Sequence, residues 1–259
     1  MSAPAASLDD LQLAVDLAQT GGATTLQWFR QPGLDVVKKG DGSPVTAADL
    51  AAETEVRARL AASRPDDGII GEEHDDVSSC NQRTWVIDPI DGTKAFTHGV
   101  PLYATLVALV DEHGPAVGVI HLPALGETIA AGRGLGATCN GEPCRVSTHA
   151  SLDGAYAMTS GFGYWESDAL ARMMESPAVL RTWGDAYGYA LVATGRAEAM
   201  IDPKASPWDI APMAVILAEA GGTFSSSVGD TGPDAWRNGS GVATNGHIHQ
   251  EIIDLLNRA

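Results

Sequence analysis

Trp85-Val86-Ile87-Asp88-Pro89-Ile90-Asp91-Gly92-Thr93 carries an apolar run into two closely spaced acids. The run reads as a buried strand that delivers Asp88 at its end, where Pro89, lacking an N–H, stops the ladder. Asp91 follows three positions later, and Gly92-Thr93 opens a helix. Two carboxylates on a strand-to-helix turn can chelate a hard cation, because Mg²⁺ takes oxygen ligands in near-octahedral array. The amides of Gly92, Thr93 and Lys94 would point out of the helix N-terminus, where unpaired donors and the helix dipole attract phosphate. Metal and phosphate sites side by side are what metal-assisted phosphoryl transfer requires. Taken alone, D-P-x-D-G is more often only a polar turn closed by an Asx cap.

Two further segments shift that balance. Gly71-Glu72-Glu73 also ends an apolar strand, so its carboxylates could meet Asp88 if the strands are neighbours. Much later, Trp208-Asp209-Ile210-Ala211 sets an acid at the start of an apolar helix. Each by itself could be an exposed turn or an N-cap.

The rest of the chain falls into two patterns. Ser7 can cap a first helix with an apolar face through Leu11, Val15, Ala18, Leu26 and Phe29. Gly21-Gly22 predicts a bend or interruption in it, and Gln31-Pro32-Gly33 its end. A loop around Lys38 to Pro44 follows, and Thr46 opens a second helix to Ala62 with Asp49 in its first turn. Short strands then run over 68–71, 84–88, 103–110, 116–122 and 128–131 with tight turns, which predicts an antiparallel sheet carrying the two helices on one side. Beyond residue 150, strands over 157–159, 197–201, 222–225 and 241–244 alternate with helices over 186–193, 210–220 and 247–258, predicting a layered α/β half with a mixed sheet. The expected subdomains are 1–150, holding most of the acids, and 151–259, holding Asp209.

Composition narrows the function classes. The 259 residues are 44% hydrophobic and 19% charged, with 33 Asp+Glu against 16 Lys+Arg and a formal net charge of −17. Such a chain folds, has no long apolar run to span a membrane, and lacks the clustered cations that nucleic-acid binding needs. Its three cysteines, Cys80, Cys139 and Cys144, show no CxxC spacing, and its seven histidines show no HxH or HExxH spacing. A disulfide framework and zinc hydrolysis are therefore disfavoured. With no basic start and apolar stretch at its N-terminus, the expected setting is the cytoplasm.

Taken in order, Val45-Thr46-Ala47-Ala48-Asp49, Gly71-Glu72-Glu73, Asp88-Pro89-Ile90-Asp91-Gly92-Thr93, Trp208-Asp209 and Glu219-Ala220-Gly221-Gly222 resemble the inositol monophosphatase family of magnesium-dependent, lithium-sensitive phosphatases. The resemblance implies a layered αβαβα sandwich and a homodimer. It implies that Glu72, Asp88 and the Ile90 carbonyl hold one Mg²⁺, and that Asp88, Asp91 and Asp209 hold a second. A third, weaker ion would share Glu72. Thr93, polarised by Asp49, and Glu72 would orient and deprotonate the attacking water, and the Gly92 and Thr93 amides would hold the phosphate.

The segment Arg181-Thr182-Trp183-Gly184-Asp185-Ala186-Tyr187-Gly188-Tyr189, with Gly92-Thr93-Lys94, resembles the histidinol-phosphatase branch of that family. Histidinol phosphate carries an ammonium and an imidazole, so carboxylates near its alcohol end gain charge-assisted hydrogen bonds. Gly184, Asp185 and Asp202, the last seven residues before Asp209, are the substrate candidates. Asp185 also reads as a helix cap, and Asp202 as a strand-end turn before Pro203. Trp183, Tyr187 and Tyr189 could stack on imidazole, although aromatics at that spacing are more often core. Arg181 reads as structural, Lys94 as a phosphate neighbour or a solvated cation, and His98 as structural. The alternatives are an inositol-type or sugar-type phosphatase and a non-catalytic metal- or phosphate-binding member of the family.

Overall fold

The computed structural model describes residues 3–33, 35–38, 40 and 44–258; most of the loop expected between Lys38 and Pro44 lies outside them. Helix α1 (Leu8–Leu26) starts on Ser7, whose side chain accepts the amide of Asp9. A short hairpin of β1 (Val36–Lys38) and β2 (Pro44–Thr46) leads into α2 (Ala47–Ser63), where Thr46 and Asp49 form a reciprocal capping box. Then come β3 (Gly68–Gly71), β4 (Thr84–Asp91), the short α3 (Thr93–Thr97), β5 (Ala104–Asp111), β6 (Gly114–Leu122), β7 (Glu127–Gly132), β8 (Gly136–Cys139) and β9 (Glu142–Pro143). The remainder comprises β10 (Tyr156–Met158), α4 (Ser167–Glu175), β11 (Val179–Arg181), α5 (Asp185–Ala193), β12 (Ala199–Asp202), α6 (Pro207–Ile210), α7 (Met213–Glu219), β13 (Thr223–Ser225), β14 (Gly241–Thr244) and α8 (His249–Asn257).

Strands β3 to β9 form one seven-stranded sheet in sequence order, antiparallel except for the parallel pair β3–β4. The second sheet is mixed, in the order β11-β10-β12-β14-β13. Period-two alternation sorts the first sheet's side chains into two cores. Trp85, Ile87, Val107 and Leu109 pack with Leu17, Val56 and Leu60 of α1 and α2. Val86, Leu106 and Ala108 face the other way, toward Tyr189, Val192, Ile216 and Leu217 of α5 and α7. The far face of the second sheet packs Ala157, Ala199 and Ile201 against Met173 of α4 and Ile252 of α8. The result is the expected αβαβα stack, with a central helical layer that both sheets cover.

Three local expectations change. The first helix runs unbroken through Gly21-Gly22, where side chains would collide with Thr105 and His121 of the sheet. The glycines serve close helix–sheet approach and not a bend. That helix also ends at Leu26, short of Pro32, which frees Phe29 to pack on Phe96 and Tyr103 at ring-centroid distances of 5.6 and 5.0 Å. The helix expected over 210–220 is two helices, α6 and α7, parted at Ala211-Pro212. Proline has no N–H for the ladder and clashes with the carbonyl four residues back. Helix α4, strand β11 and the β8–β9 hairpin fall outside the elements expected from the sequence, although Ala169 and Met173 of α4 keep the i, i+4 spacing of an apolar helix face.

Candidate active site

Strand β4 does not stop at Pro89. It continues to Asp91 through a register shift between Asp88 and Asp91, so the proline sits in a bulge that needs no N–H there. The bulge is bonded on itself, with the Ile90 amide donating to Asp88 Oδ1 at 3.0 Å. Asp88 and Asp91 thereby reach the same side of the sheet, buried against the central layer. Asp209 arrives from the second half as the third residue of α6, its Oδ2 accepting the Ser206 amide at 2.7 Å. Carboxylate oxygens of Asp88, Asp91 and Asp209 lie within 4.8 Å of one another.

Glu72, just past β3, completes the acidic wall, because the parallel pairing of β3 with β4 carries both strand ends to one edge. Burial lifts the Asp88 carboxyl well above the ordinary carboxylate range, and the neighbouring Glu72, Asp91 and Asp209 lift it further. Burial likewise raises Asp91, with Asp185 and Asp209 adding to it, against an opposing hydrogen bond from Ala186. Asp209 is pushed up to about 7 by burial, the Ser206 amide opposing and Glu72 reinforcing. Among the described residues no cationic side chain ranks with the strongest influences on these three acids. A cluster of hard oxygen donors that crowd and repel one another fits a divalent cation, which cancels the repulsion.

The acids line a cleft of about 490 Å³ that also takes in Ile90, Gly92, Thr93, Lys94, Asp185 and Asp202. Gly92 has φ 81°, a left-handed conformation that turns the chain into α3, and no side chain caps the helix start. The Thr93 hydroxyl donates to the Ile90 carbonyl at 3.1 Å. Asp49 is fully buried, and its Oδ2 accepts both the amide and the hydroxyl of Thr46, at 2.8 and 2.6 Å. Among the described residues no hydrogen bond joins Asp49 to Thr93, and Asp49 Oδ1 has no hydrogen-bond partner. Burial raises the Asp49 carboxyl to about 6, against the hydrogen bonds from Thr46.

Asp185 faces Gly92 across the cleft: a Cβ on Gly92 would lie 3.2 Å from Asp185 Oδ2. Its backbone is left-handed at φ 52°, uncommon for a residue with a side chain, and its amide donates to Ser160 Oγ at 2.9 Å. Gly184 has a packing role, since any side chain there would run into the backbone of Thr159-Ser160. Asp202 accepts the Ser160 hydroxyl at 2.6 Å and the Tyr189 hydroxyl at 3.0 Å; burial raises its carboxyl to about 6. Tyr189 is buried and borders the cleft, Tyr187 packs on the central core, and Trp183 stands outside, stacked on Tyr156 with Arg181 over that ring. His98 Nδ1 lies 2.8 Å from the Lys94 carbonyl at the end of α3.

Several lining residues escaped the sequence, among them Ser160, Tyr164 and Lys204. Ser160 links Asp185 to Asp202, and Tyr164 receives the Lys94 ammonium at 3.0 Å, with Lys204 Nζ 6.0 Å from its ring. They belong to no motif, and only the fold brings residues 160–164 to the cleft. Lys204, two residues past Asp202, lay within reach of an argument about flanking charge.

The family model described as "Inositol monophosphatase family" matches residues 8–259. A histidinol-phosphatase of Chlorobaculum parvum is 45% identical, over 82% of this chain and 84% of its own. The histidinol-phosphatase of Mycobacterium tuberculosis is 38% identical, over 97% of this chain and 99% of its own. Among solved structures, the extragenic suppressor protein suhB of Bartonella henselae superposes with a TM-score of 0.89 at 29% identity, covering 97% of this chain and 99% of its own. With its motifs in order and its acids converging on one cleft, the chain belongs to the inositol monophosphatase family.

Proposed function

We propose that this protein is a phosphoric monoester hydrolase that converts L-histidinol phosphate to L-histidinol and phosphate in histidine biosynthesis, using Mg²⁺. The observation that carries the reaction class is the convergence of Asp88, Asp91 and Asp209 within 4.8 Å, beside the uncapped start of α3. Similarity to histidinol-phosphatases at 38 and 45% identity supports the substrate.

Glu72, Asp88, Asp91, Asp209 and the Ile90 carbonyl would hold two Mg²⁺, with a third sharing Glu72. Bound Mg²⁺ supplies Lewis-acid polarisation of the phosphoryl group and eases deprotonation of water. The amides of Gly92 and Thr93 orient the phosphate. Glu72 takes one proton of the attacking water, whose oxygen bonds phosphorus as the phosphorus–oxygen bond to the alcohol breaks in line, and the departing alkoxide takes a proton from a second water to leave as L-histidinol. Thr93 keeps a lone pair to orient that water while donating to the Ile90 carbonyl. For Asp49 to polarise Thr93, the hydroxyl must turn from that carbonyl toward Asp49 Oδ1.

Asp185, across the cleft from Gly92, is placed to meet the cationic alcohol half, and Asp202 stands behind it through Ser160. Two copies of the chain would associate, in the cytoplasm; its cysteines are free, and no helix among the described residues is long and apolar enough to cross a membrane. A phosphate-release panel over histidinol phosphate, inositol 1-phosphate and fructose 1,6-bisphosphate, with and without Mg²⁺, tests the assignment. Preferred release from histidinol phosphate supports it. Faster release from inositol 1-phosphate moves the protein to the inositol-type alternative.

A further inference from the structure

Behind the turn that carries Glu72 lies an acid outside the cleft. Glu53 of α2 is fully buried, and its carboxylate accepts the amides of Glu73 at 2.8 Å and His74 at 3.3 Å. Arg57, one helical turn on, donates Nε to Glu53 Oε1 at 2.7 Å. Its two other nitrogens donate to the carbonyls of Asp75 and His74, each at 3.0 Å. One ion pair therefore holds four backbone polar groups of residues 73–75. Gly71 closes the arrangement from the strand side, since any side chain there would collide with the Glu53 carboxylate and the Arg57 guanidinium. Glu72 is the one residue between these two fixed points.

A buried ion pair is weak evidence for stability, because desolvation offsets much of its attraction. This one is bonded to the backbone just after a proposed cation ligand and packed against Gly71 just before it, which is how outer groups orient metal-binding side chains. We propose that the Glu53–Arg57 pair is the positioning device for Glu72, fixing its backbone so that its carboxylate stays beside Asp88. The proposal rests on Glu72 being a cation ligand.

The test is calorimetric titration of the full-length protein with Mg²⁺ alone, paired with circular dichroism to check folding. Glu53→Gln replaces one acceptor oxygen with a donor that faces backbone N–H groups; it should weaken Mg²⁺ binding about 10-fold. In a Glu72→Gln background the same change should weaken binding no further, since its effect passes through Glu72. Folded Glu53→Gln protein with unchanged Mg²⁺ affinity, or full additivity of the two changes, overturns the proposal. If Glu53→Gln fails to fold, Arg57→Lys carries the test, because it keeps the charge and loses the fork to the two carbonyls. Unchanged affinity there is equally fatal. Should Glu72→Gln by itself leave Mg²⁺ binding intact, the assignment of Glu72 as a ligand fails first, which separates the two outcomes.

Discussion

The carboxylate of Asp91, at the end of β4, accepts the backbone amide of Ala186, in the first turn of α5, at 2.5 Å. A proposed cation ligand of the first sheet thus also serves as an acceptor for a helix of the second half. Negative charge at that place suits the positive end of the helix dipole. The bond ties the two halves of the chain together where substrate would lie.

The first prediction separates these two roles. Asp91→Asn keeps an oxygen for Ala186 and loses the charge, whereas Asp91→Ala loses both. Both variants should lack Mg²⁺-dependent activity. In urea unfolding without Mg²⁺, Asp91→Ala should be less stable than Asp91→Asn by about 1 kcal/mol, the usual worth of a helix-terminal acceptor. Equal stabilities would mean that the bond to Ala186 contributes nothing.

Repulsion within the acidic cluster gives the second. A carboxyl whose folded pKa is raised contributes stability at low pH and loses it as pH rises, for Asp209 between 3.8 and about 7. The cation-free protein should weaken over that window, and added Mg²⁺ should restore it. Asp88→Asn should raise the melting temperature of the cation-free protein and abolish the Mg²⁺ response. Its activity should fall by about 100-fold or more, since loss of even an outer partner costs about 10–100-fold. A parental Mg²⁺ response in Asp88→Asn would remove Asp88 from the ligand set.

Asp185 carries the third prediction, on substrate choice. Its left-handed backbone favours Asn over Ala as a probe, because Asn tolerates φ 52°. Asp185→Asn should raise KM for histidinol phosphate about 10-fold, the worth of a hydrogen bond to a charged group. KM for glycerol phosphate, whose alcohol is neutral, should barely move. Equal shifts for both esters would leave Asp185 as a structural residue at the start of α5.

The fourth concerns His121, whose ring backs Gly22 of α1 and lies 2.9 Å from the Thr128 hydroxyl. Burial lowers its pKa below 6.5, so folding favours the neutral ring. The stability this confers is present above 6.5 and lost as pH falls toward the folded value. His121→Gln should flatten the acid side of the melting-temperature profile, measured with Mg²⁺ present. An unchanged slope would exclude the ring from acid destabilisation.

What the sequence made legible was the ordered set of acids, because each stands where an apolar strand ends or an apolar helix begins. Asp88, Asp91, Glu72 and Asp209 could be named with no coordinates. The parallel pairing of β3 with β4 could not, since tight spacing suggests hairpins; yet that pairing brings Glu72 to Asp88. Gly21-Gly22 misled, because glycine in a helix signals flexibility until the sheet it lies against is known. Ser160 and Tyr164 stayed hidden for a similar reason. Their place at the cleft comes from the second sheet's strand ends meeting the first sheet's, which no local pattern records.

The most direct measurement is anomalous diffraction from crystals of the protein soaked in Mn²⁺, which scatters where Mg²⁺ binds. A peak is expected within coordination distance of Asp88, Asp91 and Asp209, and another reached by Glu72 and the Ile90 carbonyl. Anomalous density elsewhere on the molecule, with none between those carboxylates, would contradict this expectation.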